Sequence, residues 1–252
     1  FFQQNDLALQ QLNKDEHVFD GRLAWSFLPR TAAFLSANYR RVNYDQAARS
    51  IGTAQVVNAD SRPLRFQVGL NGLILNRLAA QAQIGYALAR YVEGNTFRGV
   101  IGRGKLTYFL DSDGDSSVFA GYTRRFRDSP LGNFSQSHVV DAGFEQLLLD
   151  KRLAINIDGL LEFRRTDLTD VGELPLAGGG SGVFPDQLDD TLLSLNAGAR
   201  YSLRKWFSLG AGYTLRSNFT QSNLTPVTGS PELIAGRDYN QHIVNIFARF
   251  VY

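Results

Sequence analysis

Cysteine is absent from the 252-residue chain, which excludes a disulfide framework, thiol chemistry, a cysteine-ligated metal and a lipidated amino-terminal cysteine. Long apolar runs are absent as well. A transmembrane helix requires about eighteen consecutive apolar residues, and no stretch of this chain is that long. An excess of one charge is also lacking, since 26 basic residues stand against 24 acidic ones. A chain this close to neutral gives no reason to expect a polyanionic partner, so we expect no nucleic-acid binding.

The clearest positive pattern is the alternation in residues 240–252, NQHIVNIFARFVY. Strict alternation predicts a β-strand whose two faces lie in different environments. A closing strand that ends on an aromatic residue is typical of outer-membrane β-barrels, whose assembly machinery reads it. We therefore predict an assembly signal on one face of this strand, formed by Val244, Ile246, Ala248, Phe250 and Tyr252.

Similar alternation recurs from Phe19 to the end of the chain and predicts eleven strands, with a weaker candidate at the amino end. Single-chain bacterial barrels have even strand numbers, so we expect about twelve strands. Residues 1–16 form either this first strand or a plug-like segment, and residues 17–252 form the barrel. Connections alternate between short ones near 29, 76, 113, 150 and 204 and longer ones between them, which indicates short periplasmic turns and longer extracellular loops.

The strands predict an all-β, transmembrane, antiparallel up-and-down β-barrel in a bacterial outer membrane, surrounded by lipid and lipopolysaccharide. A soluble β-sandwich would also alternate, but most of the predicted strands have about nine to eleven residues, the length of a tilted hydrocarbon span. Aromatic residues gather toward both strand ends, as at the two boundaries between water and lipid. The short-turn end has Trp25, Phe27, Tyr108, Trp206, Phe207, Phe250 and Tyr252, and the loop end has Tyr39, Tyr86, Tyr122, Phe163 and Tyr213.

Charged side chains alternate with the apolar ones along the strands, and we predict that they line a pore. They are Arg22, Arg65, Arg103, Lys105, Asp141, Glu145, Asp158, Glu162, Arg200, Arg216 and Arg249. The four acidic residues fall on two neighbouring strands, which predicts a lumen divided between basic and acidic walls. The alternative is that these charges pair with one another across a filled, closed lumen.

Catalytic and metal-binding patterns are weak. Ser137, His138 and Asp141 could form a nucleophile, base and orienting acid, but neighbours on a strand point to opposite faces. Asp111, Asp113 and Asp115 resemble part of a Ca²⁺ loop but lack the downstream glutamate, which favours an ordinary turn. We expect no enzyme activity, no cofactor and no metal.

Three segments carry a resemblance to a known family: LAWSFLPRTAAFLSANYRRVNYD, LILNRLAAQAQIGYALARYV and ARYSLRKWFSLGAGYTLRSNFTQSN. Their style of strand, short basic turn and strand resembles outer-membrane β-barrel porin families, whose genes often lie beside exopolysaccharide or capsule genes. The resemblance implies a barrel that exports a polymer or allows simple diffusion. We expect a passive or gated pore for small polar or anionic solutes, linked through this resemblance to polysaccharide export. The alternative is a non-conducting barrel that anchors or completes an assembly with other envelope proteins.

Overall fold

The described part of the chain is built from β-strands and the turns that join them. The computed structural model describes residues 14–44, 48–51, 54–57, 60–92, 96–128, 134–167, 174–175, 181–182, 187–221 and 238–250. Within these ranges, no helix is long and apolar enough to cross a membrane.

Fifteen strands are numbered in chain order over the described residues. Their bounds are β1 Lys14–Leu28, β2 Thr31–Tyr44, β3 Ala48–Ile51, β4 Ala54–Val57, β5 Ser61–Leu75, β6 Leu78–Tyr91, β7 Phe97–Phe109, β8 Ser116–Asp128, β9 Phe134–Leu148, β10 Leu153–Asp167, β11 Leu174–Pro175, β12 Ser181–Gly182, β13 Gln187–Arg204, β14 Phe207–Gln221 and β15 Tyr239–Phe250. Strands β3–β4 and β11–β12 are small separate hairpins inside two of the longer connections.

The remaining eleven strands form one sheet, in the order β1-β2-β5-β6-β7-β8-β9-β10-β13-β14-β15. Each of these strands pairs in antiparallel fashion with the long strand that follows it in the chain. This confirms the prediction of an all-β, antiparallel, up-and-down fold. The eleven described strands are those with clear alternation in the sequence. The proposed amino-terminal strand or plug lies mostly outside the described residues, although β1 already begins at Lys14.

The short connections all lie at one end of the sheet, as predicted from their spacing. The turn between β7 and β8 contains Gly114 with a φ of 72°, a left-handed conformation that glycine adopts without steric cost. The turn between β9 and β10 places Leu149, Asp150 and Lys151 in the same left-handed region, where side chains are disfavoured. The chain reverses tightly at both turns, and the two strands that flank each turn are paired in register.

One face of the sheet, termed the outer face, is apolar and exposed. Leu23 on β1 and Ile246 on β15 are 74% and 82% exposed, and large apolar side chains are exposed on the outer face of the strands between them. Aromatic side chains stand exposed toward both strand ends, and Tyr252 lies outside the described residues. The exposed set comprises Trp25, Phe27, Tyr108, Trp206 and Phe250 near the turns, with Tyr39, Tyr86, Tyr122, Phe163 and Tyr213 toward the loops.

The sheet curls so that its other face, termed the inner face, meets itself. Arg40 on β2 forms an ion pair with Asp128 on β8, although three strands lie between them in the sheet. Four strand spacings correspond to about 19 Å along a flat sheet, which no pair of side chains could span. The end of β8 that carries Asp128 therefore lies close over the inner face of the amino-terminal strands.

Candidate functional site: the inner face

All eleven charges predicted to line a pore share the inner face. Strand pairing shows this: Arg103 lies opposite Gln83, Arg200 opposite Gly210, and Arg249 opposite Ser208. These neighbours alternate with the exposed apolar residues of the outer face. The structure thus places the whole set on one surface, and its role in lining a pore stays a prediction.

The acidic residues form a stripe between two basic regions. Asp141 and Glu145 lie on β9, and Asp158 and Glu162 lie on the adjacent β10, whose register pairs Gly143 with Asp158. Basic residues occupy the inner face of the earlier strands β1, β5 and β7 and of the later strands β13, β14 and β15. The eleven predicted charges therefore fall into three zones along the sheet, although acidic Glu16 and Asp20 also lie on β1 and basic Arg164 on β10.

Three of the predicted lumen cations lie over aromatic rings, two of them on the adjacent strand and one, Arg65 on β5, on the more distant β8. Arg22 is 4.0 Å from the centroid of Phe34, and Arg65 is 4.5 Å from that of Phe126. Lys105 lies 3.7 Å from the centroid of Phe119. A cation held over the negative face of a ring is electrostatically favourable, so these side chains pack along the wall.

Glu162 differs from the free lumen carboxylate that the sequence suggested. It is 3% exposed and lies between Arg125 at 3.2 Å and Arg164 at 3.4 Å. Burial of a lone carboxylate is costly, and two cations offset that cost. Glu162 is thus paired along the wall of the inner face, and whether the predicted charges line an open lumen stays a prediction.

A second charge cluster, centred on Asp128, was not found from the sequence. The Asp128 carboxylate pairs with Arg40, accepts a hydrogen bond from the Tyr91 hydroxyl at 2.7 Å and contacts the Ser61 hydroxyl at 3.4 Å. Arg40 also pairs with Glu16 on β1 at 3.1 Å. We call these residues the Asp128 cluster. It joins strands β1, β2, β5, β6 and β8 across the inner face.

Apolar side chains fill the space beside the Asp128 cluster. Phe97 stacks on Phe126 with ring centroids 4.3 Å apart, and Phe134 meets Phe97 edge-on at 5.1 Å. Ala87, Ala89 and Ile101 complete this buried group, which we call the aromatic core. It closes the loop end of the inner face in the amino-terminal half.

The pairing of β8 explains how Phe126 reaches the interior. The ladder between β7 and β8 stops at Gly102 and Arg124, whereas β8 continues in register with β9 as far as Asp128. The end of the β8–β9 hairpin is thus free of β7 and lies against the inner face. Adjacent arginines at 124 and 125 interrupt the alternation of β8, and this interruption was the available sequence signal.

The carboxy-terminal half has an open inner wall. A groove of about 440 Å³ runs over β9, β10, β13, β14 and β15. Its polar lining includes Glu145, Asn156, Asn196, Arg200, Thr214 and Asn245, and small side chains and Phe247 line the rest. Glycines form its floor: a Cβ on Gly212 would lie 2.5 Å from Asn245 Oδ1, and one on Gly198 would lie 2.8 Å from Asn156 Oδ1. The amide side chains lie flat across the glycines, so the inner surface here is polar and few side chains project into the groove.

The candidate nucleophile and base face opposite ways. Ser137 is buried on the inner face beside Arg125, whose Nε is 3.4 Å from its Oγ. His138 lies on the outer face, where its Nδ1 is 2.6 Å from the Tyr122 hydroxyl. His242 and Tyr213 form the same arrangement at 2.6 Å. Both histidines are therefore partners of boundary tyrosines at the loop end.

The aspartate-rich segment forms a turn between β7 and β8. Asp111 accepts a hydrogen bond from the backbone N–H of Asp115 at 2.7 Å. A hydrogen bond from Ser116, followed by backbone N–H groups of the turn, lowers the pKa of the Asp111 carboxyl below its ordinary value of 3.8. Among the described residues, no group of three or more His, Asp or Glu side chains could hold a metal ion.

Comparison with known proteins adds little to this geometry. No protein-family model matches the chain, and no curated protein matches it. One similar solved structure is the alcaligin outer membrane receptor FauA from Bordetella pertussis, with 14% identity and a TM-score of 0.46. The match covers 84% of this chain and 40% of the receptor, so the chain spans less than half of that receptor's length. Because this likeness is weak, the fold assignment rests on the strand pairing described above.

Proposed function

We propose that the chain is a β-barrel of a bacterial outer membrane that conducts small polar or anionic solutes along its inner face. One observation carries the proposal: a single sheet has an exposed apolar face between two aromatic rows and a charged opposite face. In water, an apolar surface of this extent would promote aggregation, whereas hydrocarbon solvates it. The exposed Val244, Ile246 and Phe250 on β15 are then available to lipid and to the assembly machinery.

The groove of the carboxy-terminal half is the proposed conducting path. The aromatic core occupies the loop end of the amino-terminal half, so solute would pass beside it along the amide-lined wall. Arg200 lies exposed in this groove, and Arg216 and Arg249 are exposed on the same inner face of the next two strands. Positive charge along a narrow polar path favours anions.

Single-channel conductance of the refolded chain in a planar bilayer tests the proposal. We expect discrete steps with a preference for anions, and Arg200→Ala or Arg103→Ala should reduce that preference. Arg165→Ala is the matched control, because Arg165 stands on the outer face in a solvent-exposed pair with Asp189 at 3.0 Å. A folded chain that produces no steps, or equal changes in all three variants, would contradict conduction through the inner face.

A second candidate function is a non-conducting barrel that anchors or completes an assembly of envelope proteins. The filled loop end of the amino-terminal half favours it, because the aromatic core and the Asp128 cluster close part of the inner face. This function predicts no conductance and a protein partner that remains bound in mild detergent. Substitutions in the groove would then leave the partner's binding unchanged.

We also propose that the chain has no catalytic role, because Ser137 and His138 face opposite sides of the sheet.

Export of a polysaccharide, in place of small solutes, is a more specific form of the conduction proposal. The amide-rich groove supports it in one respect, since Asn156, Asn196 and Asn245 could hydrogen-bond to the hydroxyl groups of a sugar chain. Blocking of the conductance by added polysaccharide would separate a polymer path from one for small ions only.

A further inference from the structure

Four arginines cross the outer face at the loop end of the amino-terminal half. Arg62 on β5 lies directly opposite Arg90 on β6. The register of β2 with β5 on either side of Arg41 places that residue level with Arg62, and Arg98 on β7 lies one diagonal step from Arg90. All four residues are exposed. We call them the arginine row.

The charge of the arginine row is not neutralised by carboxylates of the described residues. None of its four members forms an ion pair there. Two acidic residues lie at nearby outer-face positions, Asp15 on β1 and Asp60 before β5, and the Asp60 carboxylate accepts a hydrogen bond from the backbone N–H of Tyr44 at 2.8 Å. Like charges directly opposite each other on neighbouring strands repel, so an anion between Arg62 and Arg90 would relieve a cost that the bare pair carries.

The arginine row lies just beyond the loop-end row of aromatic residues. Arg41 is two residues nearer the loops than Tyr39 on β2, and Arg90 is four residues nearer than Tyr86 on β6. These separations correspond to about 7 and 13 Å along a strand. Boundary tyrosines mark the depth at which hydrocarbon gives way to lipid headgroups. The arginine row is therefore at the depth of the headgroups.

A cleft of about 530 Å³ adjoins the arginine row on the outer face. Tyr39, Leu64 and Leu88, neighbours on β2, β5 and β6, form its apolar part. Arg62 and Arg90 line the same cleft, each two residues nearer the loops than the leucine of its strand. The cleft is thus apolar toward the middle of the strands and basic toward the loops. An anionic lipid in the surrounding leaflet has the same polarity, with its acyl chains below its charged headgroup.

The carboxy-terminal half has no comparable basic surface on its outer face. Arg165 on β10 is paired with Asp189 on β13 at 3.0 Å. Strands β13, β14 and β15 have no Lys or Arg on their outer face, and at the loop end Ser217 donates a hydrogen bond to Asn240 at 2.6 Å. The unpaired cations are therefore concentrated on one side of the sheet, so the arginine row is a local feature.

We propose that the arginine row and its cleft form a specific site for lipid A, the phosphorylated lipid anchor of lipopolysaccharide. Guanidinium groups bind phosphate oxygens in a bidentate manner, and the leucines and Tyr39 pack against an acyl chain. The row extends over three strand spacings, about 14 Å, which is longer than a single phosphate can contact. A headgroup with two phosphates matches that length better than a phospholipid with one. This inference rests on the proposed membrane location and does not depend on solute conduction.

Native mass spectrometry of the folded chain in mild detergent tests the proposal. The chain is titrated separately with lipid A that carries two phosphates, with the same lipid after removal of its phosphates, and with phosphatidylglycerol. We expect one tightly bound molecule of the first lipid and binding at least about tenfold weaker for the other two.

Variants of the arginine row identify the site. Arg62→Ala combined with Arg90→Ala should weaken the binding of phosphorylated lipid A about tenfold or more. Arg62→Lys with Arg90→Lys should retain part of the affinity, because lysine keeps the charge and loses the bidentate geometry. The control is Arg152→Ala with Arg165→Ala, which removes the same charge from the β9–β10 turn and the paired site on β10 and should leave binding unchanged.

Three outcomes would overturn the proposal. Equal binding of lipid A with and without phosphates would show that the headgroup charge is not recognised. Equal binding of phosphatidylglycerol would show that one phosphate suffices. Equal losses in the control and in the Arg62 and Arg90 variant would show attraction by net charge alone. Binding is measured without a current, so a chain that conducts nothing can still confirm the lipid site, and a conducting chain can fail to bind.

Discussion

The two halves of the inner face are built on the same strand pattern but differ in what occupies them. In the amino-terminal half, the end of the β8–β9 hairpin lies across the inner face, and the aromatic core and the Asp128 cluster fill it. In the carboxy-terminal half, glycines and amides leave an open groove that ends at the exposed strand β15. Alternation therefore determines which side chains face inward, whereas the curl of the sheet determines whether they meet anything there.

The largest expected difference between the halves concerns two inward phenylalanines. Phe126 is 3% exposed and stacks on Phe97, so Phe126→Ala should lower the free energy of unfolding by about 3–5 kcal/mol. Phe247 in the open half is 45% exposed, and Phe247→Ala should cost about 1 kcal/mol. Urea unfolding of the refolded chain in lipid vesicles, followed by tryptophan fluorescence, measures both. Equal costs would mean that the two halves are filled alike.

A smaller difference is expected for two carboxylates that pair with arginine. Asp128→Ala removes the acceptor for Arg40 and Tyr91 inside the filled half. The Asp128 and Arg40 side chains are 17% and 23% exposed, so the loss should be about 2–3 kcal/mol, below that of a fully buried pair. Asp189→Ala breaks the pair with Arg165, where the two side chains are about half exposed, and should cost roughly 0.5 kcal/mol or less. A double-mutant cycle with Arg40→Ala isolates the pair itself, and a coupling near zero would show that the Asp128–Arg40 ion pair does not stabilise the filled half.

Much of the fold could be predicted because strand alternation is a local property. The facing of Arg103, Arg200 and Arg249 follows from counting residues along a strand, and the structure agrees. The opposite facing of Ser137 and His138 followed from the same rule and is confirmed.

The contacts made on the inner face could not be predicted from the sequence, because they join strands that are distant in the chain. Arg40 and Asp128 are 88 residues apart, and nothing local to either one indicates the other. Glu162 was predicted to line a lumen, but whether an inward carboxylate meets water or Arg125 depends on the curl of the sheet. Local pattern gives the direction of a side chain, and tertiary geometry gives its neighbour.

The smallest expected effect lies in the turn between β7 and β8, at the opposite end of the strands from the aromatic core. Folding lowers the pKa of the Asp111 carboxyl, so its stabilising contribution is present above the unfolded value and is lost as the pH falls through the folded value. Asp111→Asn keeps an acceptor oxygen but cannot ionise, so the wild-type chain should be slightly more stable at pH 6 and lose that advantage at about pH 3 or below. Urea midpoints at the two pH values measure this gap, with Asp113→Asn in the same turn as the control. A gap that stays constant with pH would show that the Asp111 charge contributes nothing, and that its hydrogen bonds hold the turn without it.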